Sequence, residues 1–461
     1  MKRPALNFTD ADWERVERDA LAWWAGELER PLVYLSVTGP LAEWPYAYMS
    51  NYPLDMPAHE VLDRYEPLLA AQHYYADAFP WMWINFGPGI VAGFLGANVH
   101  SVTSPSETVW FTPARPTDIR ALSPVYDAEN VWWKRVKELT AAAVERYGDR
   151  LIVGYTDLGG NLDILASLRS TEALLLDLVD HPEEVERLAG QITGLWLRYY
   201  DELDAIIRPA CRGTSCWTPL FSPGKTYMLQ CDFSYMISPA MFERFVLPDL
   251  VACCEHLDHA FYHLDGKGEI PHLDLLLSIP RLRGIQWVPG DGQPPPEQWL
   301  PLLKRIRDGG KLCQVSVTPE GALHIVKNLG GRGFMFWIQP GPEFQDPEQV
   351  QAFLDTLARE DATRNTQHLR RPRCKNNAST THGVSTWETI RGAAGTNLTT
   401  RPGGCWTCRT TGASNSTAIR PARPAPPAAT SPPVWAGIIS ASSRRKNGAE
   451  RKYSSSSRAS I

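Results

Sequence analysis

Residues 261–292 read FYHLDGKGEIPHLDLLLSIPRLRGIQWVPGDG. One short apolar run ends in His263, Asp265, Gly266 and Gly268, and a second ends in Gln286, Trp287, Gly290 and Gly292. In an extended strand, residues i and i+2 share a face. His263 and Asp265 therefore point the same way at the carboxyl end of a predicted strand. Gln286 lies on one face of the next, with Ile285 and Trp287 on the other. The glycines let the chain turn sharply there and let a ligand approach the backbone closely.

Working outward, the same rhythm recurs. Short apolar runs predict strands at 32–38, 82–86, 151–156, 213–217, 260–264, 284–288, 311–317 and 334–338. Helical patterns lie between most of them, such as PEEVERLAGQITGLWLRYYDEL and PPEQWLPLLKRIRD. Ser238-Pro239 and Thr318-Pro319 read as N-caps followed by proline in the first turn. Strand and helix alternating eight times predicts an α/β fold, a (β/α)8 TIM barrel. An open doubly wound sheet is the alternative. The body exceeds the roughly 250 residues of a plain barrel, which calls for extra N-terminal helices and an insertion around 96–126.

Barrels of this kind gather their chemistry at the carboxyl ends of the strands. The polar residues expected at that mouth are Asp157, Asn161, Asp232, His263, Asp265 and Gln286. Trp217, Trp287 and Trp337 would form apolar walls or stack on a flat ligand. Each has a structural reading too. His263 and Asp265 could cap the following helix, and Gln286 could satisfy a buried backbone group. Asp232 could form the turn before Ser238, and Cys313 reads as a small core hydrophobe.

The charge is divided unevenly. Of 46 basic and 51 acidic residues, 16 and 2 fall in 362–461, which leaves 30 and 49 in 1–361. An acidic body repels nucleic acid, so none is expected as a partner. Residues 1–361 form the expected domain, closing with a helix that starts at Asp346-Pro347. Residues 362–461 lack apolar periodicity and are rich in Arg, Ser, Thr, Pro and Ala, so a disordered basic tail is expected there. Its composition resembles translation in a shifted reading frame. The lone Cys405–Cys408 pair is weak as a zinc motif. The nine cysteines show no disulfide framework, and neither a leader nor a span of about 20 apolar residues is visible. A soluble cytoplasmic protein with reduced thiols is expected.

Three segments carry a family likeness: DLGGNLDILASLRSTEALLLDLVDHPEEVERL, CDFSYMISPAMFERFVLPDL and YHLDGKGEIPHLDLLLSIPRLRGIQWVPGDG. Together they resemble the uroporphyrinogen decarboxylase-like superfamily, over most of residues 30–360 and none of the tail. The resemblance implies a (β/α)8 barrel. It also implies one of two chemistries: decarboxylation of uroporphyrinogen, or zinc-dependent methyl transfer between corrinoid proteins and thiols. It implies zinc and a corrinoid carried by a partner protein as cofactors of the second chemistry. Homodimers are common among members of the first kind.

The chain departs from both patterns. The arginine-rich loop of the decarboxylases corresponds to VTGPLAEWPYAYMS, without arginine, and their pyrrole-binding aspartate to Asn85 in INFGPG. A substrate with eight carboxylates needs cationic partners. The His-x-Cys motif of the methyltransferases corresponds to His263-Leu264-Asp265, and their later Cys is missing from WIQPGPEF. His263 and Asp265 could hold zinc as nitrogen and oxygen ligands, with Glu269, Asp232 or Cys313 as a third. The preferred expectation is methyl transfer from a corrinoid or a small methylated compound, with His263 and Asp265 as the metal or acid–base pair acting on a small-molecule substrate. Decarboxylation of a different acid, with His263 as proton donor, and a non-catalytic binding barrel remain open.

Overall fold

The computed structural model of the chain describes residues 6–101 and 108–370. It is a mixed α/β fold whose strands run β1 Leu32–Thr38, β2 Gln72–Ala76, β3 Trp81–Trp83, β4 Asn98–His100, β5 Trp110–Thr112, β6 Ile152–Gly154, β7 Thr226–Leu229, β8 His259–Asp265, β9 Leu282–Val288, β10 Leu312–Val317 and β11 Phe334–Ile338. The main sheet has the order β2-β1-β11-β10-β9-β8-β7, while β3 pairs with β6 and β4 with β5. From β1 through β11 to β7 every pairing is parallel; β2 adds antiparallel to β1. β3 and β6 are likewise parallel. Backbone contacts outside the ladders include Tyr155 N–H donating to Ser215 O at 3.1 Å.

Seven of the expected strands are present, two of them, 32–38 and 334–338, with the expected bounds. The eighth is a correction. Residues 213–217 form a loop with a single antiparallel bridge, Thr214 to Ser222, and the parallel strand is β7, a few residues later. Both stretches are buried, but the backbone of 213–217 bonds to Tyr155 and Ser222, whereas β7 makes the parallel ladder with β8. The expected insertion contains the β4–β5 hairpin.

The helices begin where the caps predict. Ser238 Oγ accepts from Met241 N and Thr318 Oγ1 from Gly321 N, each ahead of a first-turn proline. Such caps stabilise a helix by roughly 1 kcal/mol each. The final helix, Pro347–Arg370, runs beyond the boundary expected at 361. The rest of the expected tail, from 371, lies outside the described residues, as does the Cys405–Cys408 pair. No helix among the described residues is long and apolar enough to cross a membrane.

The extra N-terminal helix, Asp10–Trp24, closes the amino end of the main sheet. Its Trp23 indole donates to Phe334 O and its Trp24 indole to Phe221 O. Trp23 stacks on Phe261 of β8 with centroids 5.8 Å apart. Burying these rings places a large apolar payload at that end and leaves the opposite, carboxyl end of the strands for chemistry.

Candidate functional site at the carboxyl ends of the strands

The register of four neighbouring strands builds the floor of the site. His263 on β8 pairs with Gln286 on β9, Gln286 with Gln314 on β10, and Gln314 with Met335 on β11. Residues in register share a face, so the four side chains form one row and bond along it. His263 Nδ1 meets Gln286 Oε1 at 2.5 Å, Gln286 Nε2 donates to Gln314 Oε1 at 2.7 Å, and Gln314 Nε2 donates to Met335 Sδ at 3.1 Å. Thr218 Oγ1 adds a bond to Gln314 Oε1 at 3.2 Å. In this assignment the two amides run in one direction, so Gln286 Oε1 is an acceptor and His263 Nδ1 must carry the proton. Trp217 holds the imidazole edge-on, 5.1 Å between centroids at 89°, and anchors its own indole on Met228 O.

Burial lowers the proton affinity of His263, more than the neighbouring Asp265 and Gln286 raise it. The ring is therefore neutral near pH 7, and with Nδ1 protonated it presents Nε2 as an acceptor. Nε2 lies 4.0 Å from Asp265 Oδ2. Two acceptors facing each other in a buried space repel unless something positive lies between them. Asp232, in the turn after β7, completes the group: one ligand atom each from Asp232, His263 and Asp265 lie within 4.8 Å of one another. Asp232 Oδ1 and Asp265 Oδ1 are both shielded from water and have no hydrogen-bond partner.

Three more carboxyls surround this trio. Asp157 follows β6 and accepts from Gly159 N at 2.9 Å; burial pushes it up to about 7. Asp163 sits in the first turn of the helix Asn161–Arg169 and accepts from Phe233 N at 2.7 Å and Asp232 N at 3.1 Å. Burial still pushes it up to about 6. Glu269 is fully buried; its Oε2 accepts from Asp265 N at 3.2 Å and Tyr262 Oη at 3.4 Å. Burial, then the charges of Asp232 and Asp265, raise Glu269 well above the usual carboxylate range. Asp232 is raised in the same way, by burial and then by Asp163, Asp265 and Asp157. A cluster of carboxyls that destabilise one another's charged forms is a site prepared for a cation.

Local backbone explains why these residues converge. Gly266 has φ +77°, which turns the chain directly after Asp265. A Cβ at Gly160 would meet Gln230 O at 2.2 Å, so only glycine lets the helix bearing Asp163 approach the segment after β7.

The structure thus brings together Asp157, Trp217, Asp232, His263, Asp265 and Gln286 among the expected residues. Trp337 lies on the face of β11 that carries Met335, further toward the carboxyl end, and is partly exposed there. Two expectations are corrected. Asn161 does not line the site: its Nδ2 donates to Phe245 O and its Oδ1 accepts from Leu162 N, so the amide is occupied by backbone. Trp287 faces away from Gln286 and packs on Trp299, 5.1 Å between centroids, in the outer layer. Cys313 is on the face of β10 opposite to Gln314, with its thiol pushed up to about 12 by burial, and is not a ligand. Asn85 is likewise occupied, donating to Ala47 O and accepting from Gly87 N. Asp163 is the residue that sequence reasoning missed. An acid in the first turn of a helix that opens at the carboxyl end of a strand was the available signal.

No protein-family model and no curated protein sequence matches the chain. Among solved structures, the fold is similar to that of a methyltransferase from Methanosarcina mazei. The match has 13% identity and a TM-score of 0.50, and covers 75% of this chain and 98% of that one. At that identity the likeness is one of fold.

Proposed function

We propose that the chain is a methyltransferase-like enzyme with a closed (β/α)8 barrel, whose acceptor is activated by a divalent metal ion held by Asp232, His263 and Asp265. The observation that carries the reading is the trio itself: three ligand atoms within 4.8 Å, two of its carboxylates with an unpartnered buried oxygen. The donor set fits the ion. Catalytic zinc takes three protein ligands and keeps a position open, and His263 is held by Gln286 in the tautomer that presents Nε2. A dication supplies Lewis acidity, raising the acidity of an acceptor bound in the open position. The residues of this chain orient and shield. Gln286 and Trp217 fix the imidazole, Asp163 holds the backbone of Asp232, and Trp337 offers a flat apolar wall. For the barrel, support comes from β1 pairing with β11, which returns the last strand to the first. The similarity in fold to a methyltransferase favours methyl transfer. The donor would be a corrinoid carried by a partner protein or a small methylated compound; the enzyme would be cytoplasmic and homodimeric.

The test is elemental analysis of the purified full-length chain beside His263→Ala. About one ion per chain, lost in the variant, is expected. No metal in the parent chain sinks the metal reading. In that event a metal-free decarboxylase becomes the better one, favoured by Asp157: a carboxyl near 7 is a better proton donor at neutral pH than the desolvated His263.

A further inference from the structure

Glu269 is a member of the site whose role the trio leaves unexplained. It is wholly buried, and a carboxylate in that setting needs a partner for each oxygen. Oε2 has two donors, the Asp265 backbone N–H and the Tyr262 hydroxyl. Oε1 is shielded from water and accepts no hydrogen bond of ordinary geometry, the Ser234 hydroxyl being the neighbour that stabilises the charged carboxylate. Both carboxylates of the trio act electrostatically on Glu269. Through Oε2 it therefore holds the backbone of Asp265, one of the trio, in place.

Among the described residues, no cysteine sulfur joins this arrangement. The described cysteines at 216, 231, 253, 254 and 313 are buried, and none joins His, Asp or Glu in a metal-sized group among the described residues. Even Cys231, next in sequence to Asp232, is outside the trio. Thiolate ligands donate charge to a metal and keep a bound thiol nucleophilic. Carboxylate and imidazole ligands leave the ion harder, and a harder ion prefers oxygen.

Building on the metal reading above, we infer that this is an oxygen-selective divalent centre in which Glu269 positions Asp265 through the backbone N–H it accepts from. The molecule it activates binds through oxygen, as a carboxylate, hydroxamate or hydroxyl group, and not through a thiol.

Cobalt(II) is the probe, because its visible and near-ultraviolet spectrum reports its ligands. The full-length chain is stripped with chelator, loaded with Co2+ and titrated with acetohydroxamate and, separately, with 2-mercaptoethanol. Glu269→Gln and Glu269→Asp are treated alike, with circular dichroism confirming that each is folded. The expected result is a Co2+ spectrum without a sulfur-to-metal charge-transfer band, shifted by hydroxamate and left unchanged by the thiol. Glu269→Gln should bind Co2+ about 10- to 100-fold more weakly, the usual loss for a residue that orients a ligand, and Glu269→Asp should restore part of it. A charge-transfer band on adding thiol overturns the oxygen-selective assignment. Parent-like Co2+ affinity in Glu269→Gln overturns the role of Glu269. Failure of the parent chain to bind Co2+ at all overturns the metal reading beneath both, and is distinct from either.

Discussion

Strand β8 carries two histidines four residues apart, His259 and His263, on one face and at opposite ends. Both are kept neutral by burial, yet their surroundings are opposite in charge. His259 lies flat on Trp24, centroids 4.2 Å apart, with Nδ1 at 2.7 Å from Ser222 Oγ. Burial and then Arg283 push it down to about 4. His263 sits among carboxyls. Three cations at the amino end have backbone partners. Arg283 donates to Trp24 O, Arg281 to Leu257 O, and Lys311 to both Ile279 O and Leu282 O. These bonds cap carbonyls left over by strand and helix ends. At the carboxyl end, Asp232 Oδ1, Asp265 Oδ1 and Glu269 Oε1 accept no hydrogen bond of ordinary geometry. A fold leaves buried polar groups unsatisfied where it spends stability on something other than itself. The amino end, with its cations on backbone carbonyls, reads as architecture, and the carboxyl end, with its unpaired carboxylate oxygens, as function.

The contrast can be broken at several points. The largest effect is expected for Asp265→Ala, which should lower divalent-ion affinity by more than about 100-fold. Direct titration with Co2+ or Zn2+ measures this, and an unchanged affinity would remove Asp265 from the ligand set. Gln286→Leu comes next. It removes the acceptor that Gln286 offers His263 Nδ1 and breaks the row to Gln314, so a stability loss of about 1–3 kcal/mol is expected from urea unfolding. Metal affinity should fall about 10-fold or more with it, because the imidazole loses its fixed tautomer; loss of stability alone would make Gln286 merely structural.

At the other end the prediction concerns pH. The folded pKa of His259, about 4, lies below its unfolded value near 6.5. Its contribution to stability is therefore present above pH 6.5 and is lost as pH falls from there through 4. The ring is partly open to water, so the loss is discounted to about 1–2 kcal/mol. His259→Phe keeps a ring on Trp24 and cannot titrate. Its unfolding free energy should fall less than the parent's between pH 7 and 4.5, and equal losses would show that other groups carry the acid sensitivity. The smallest effect is expected for Trp287→Phe, in the outer layer. It should cost about 1 kcal/mol of stability and leave metal affinity unchanged. A change in affinity would mean that the two faces of β9 are coupled.

Much of this was legible in the chain itself. The period of two in β8 and β9 placed His263 with Asp265 and separated Gln286 from Trp287, because alternation is a property of extended backbone. That reasoning should have excluded Trp287 from the pocket, as the structure does. Asn161 and Asp163 show the opposite case. Both lie in the first turn of one helix, and no local rule says which reaches the site. The approach of that helix to the segment after β7, permitted by Gly160, decides it. The strand misplaced at 213–217 has the same cause: the stretch is buried, but its backbone bonds go to Tyr155 and Ser222, and the parallel ladder beside β8 is made by β7.

Local pattern and composition were enough to establish an alternating α/β chain, an acidic body, helix starts at Ser238 and Thr318, and a polar face at the end of β8. These depend on neighbours a few residues apart, which the sequence shows directly. Tertiary structure alone decided that ligand atoms of Asp232, His263 and Asp265 come within 4.8 Å, that Glu269 holds the backbone of Asp265, and that no cysteine among the described residues joins them. Those facts depend on register and on helix approach between segments far apart in the chain. A contact of that kind is set by the packing of everything between.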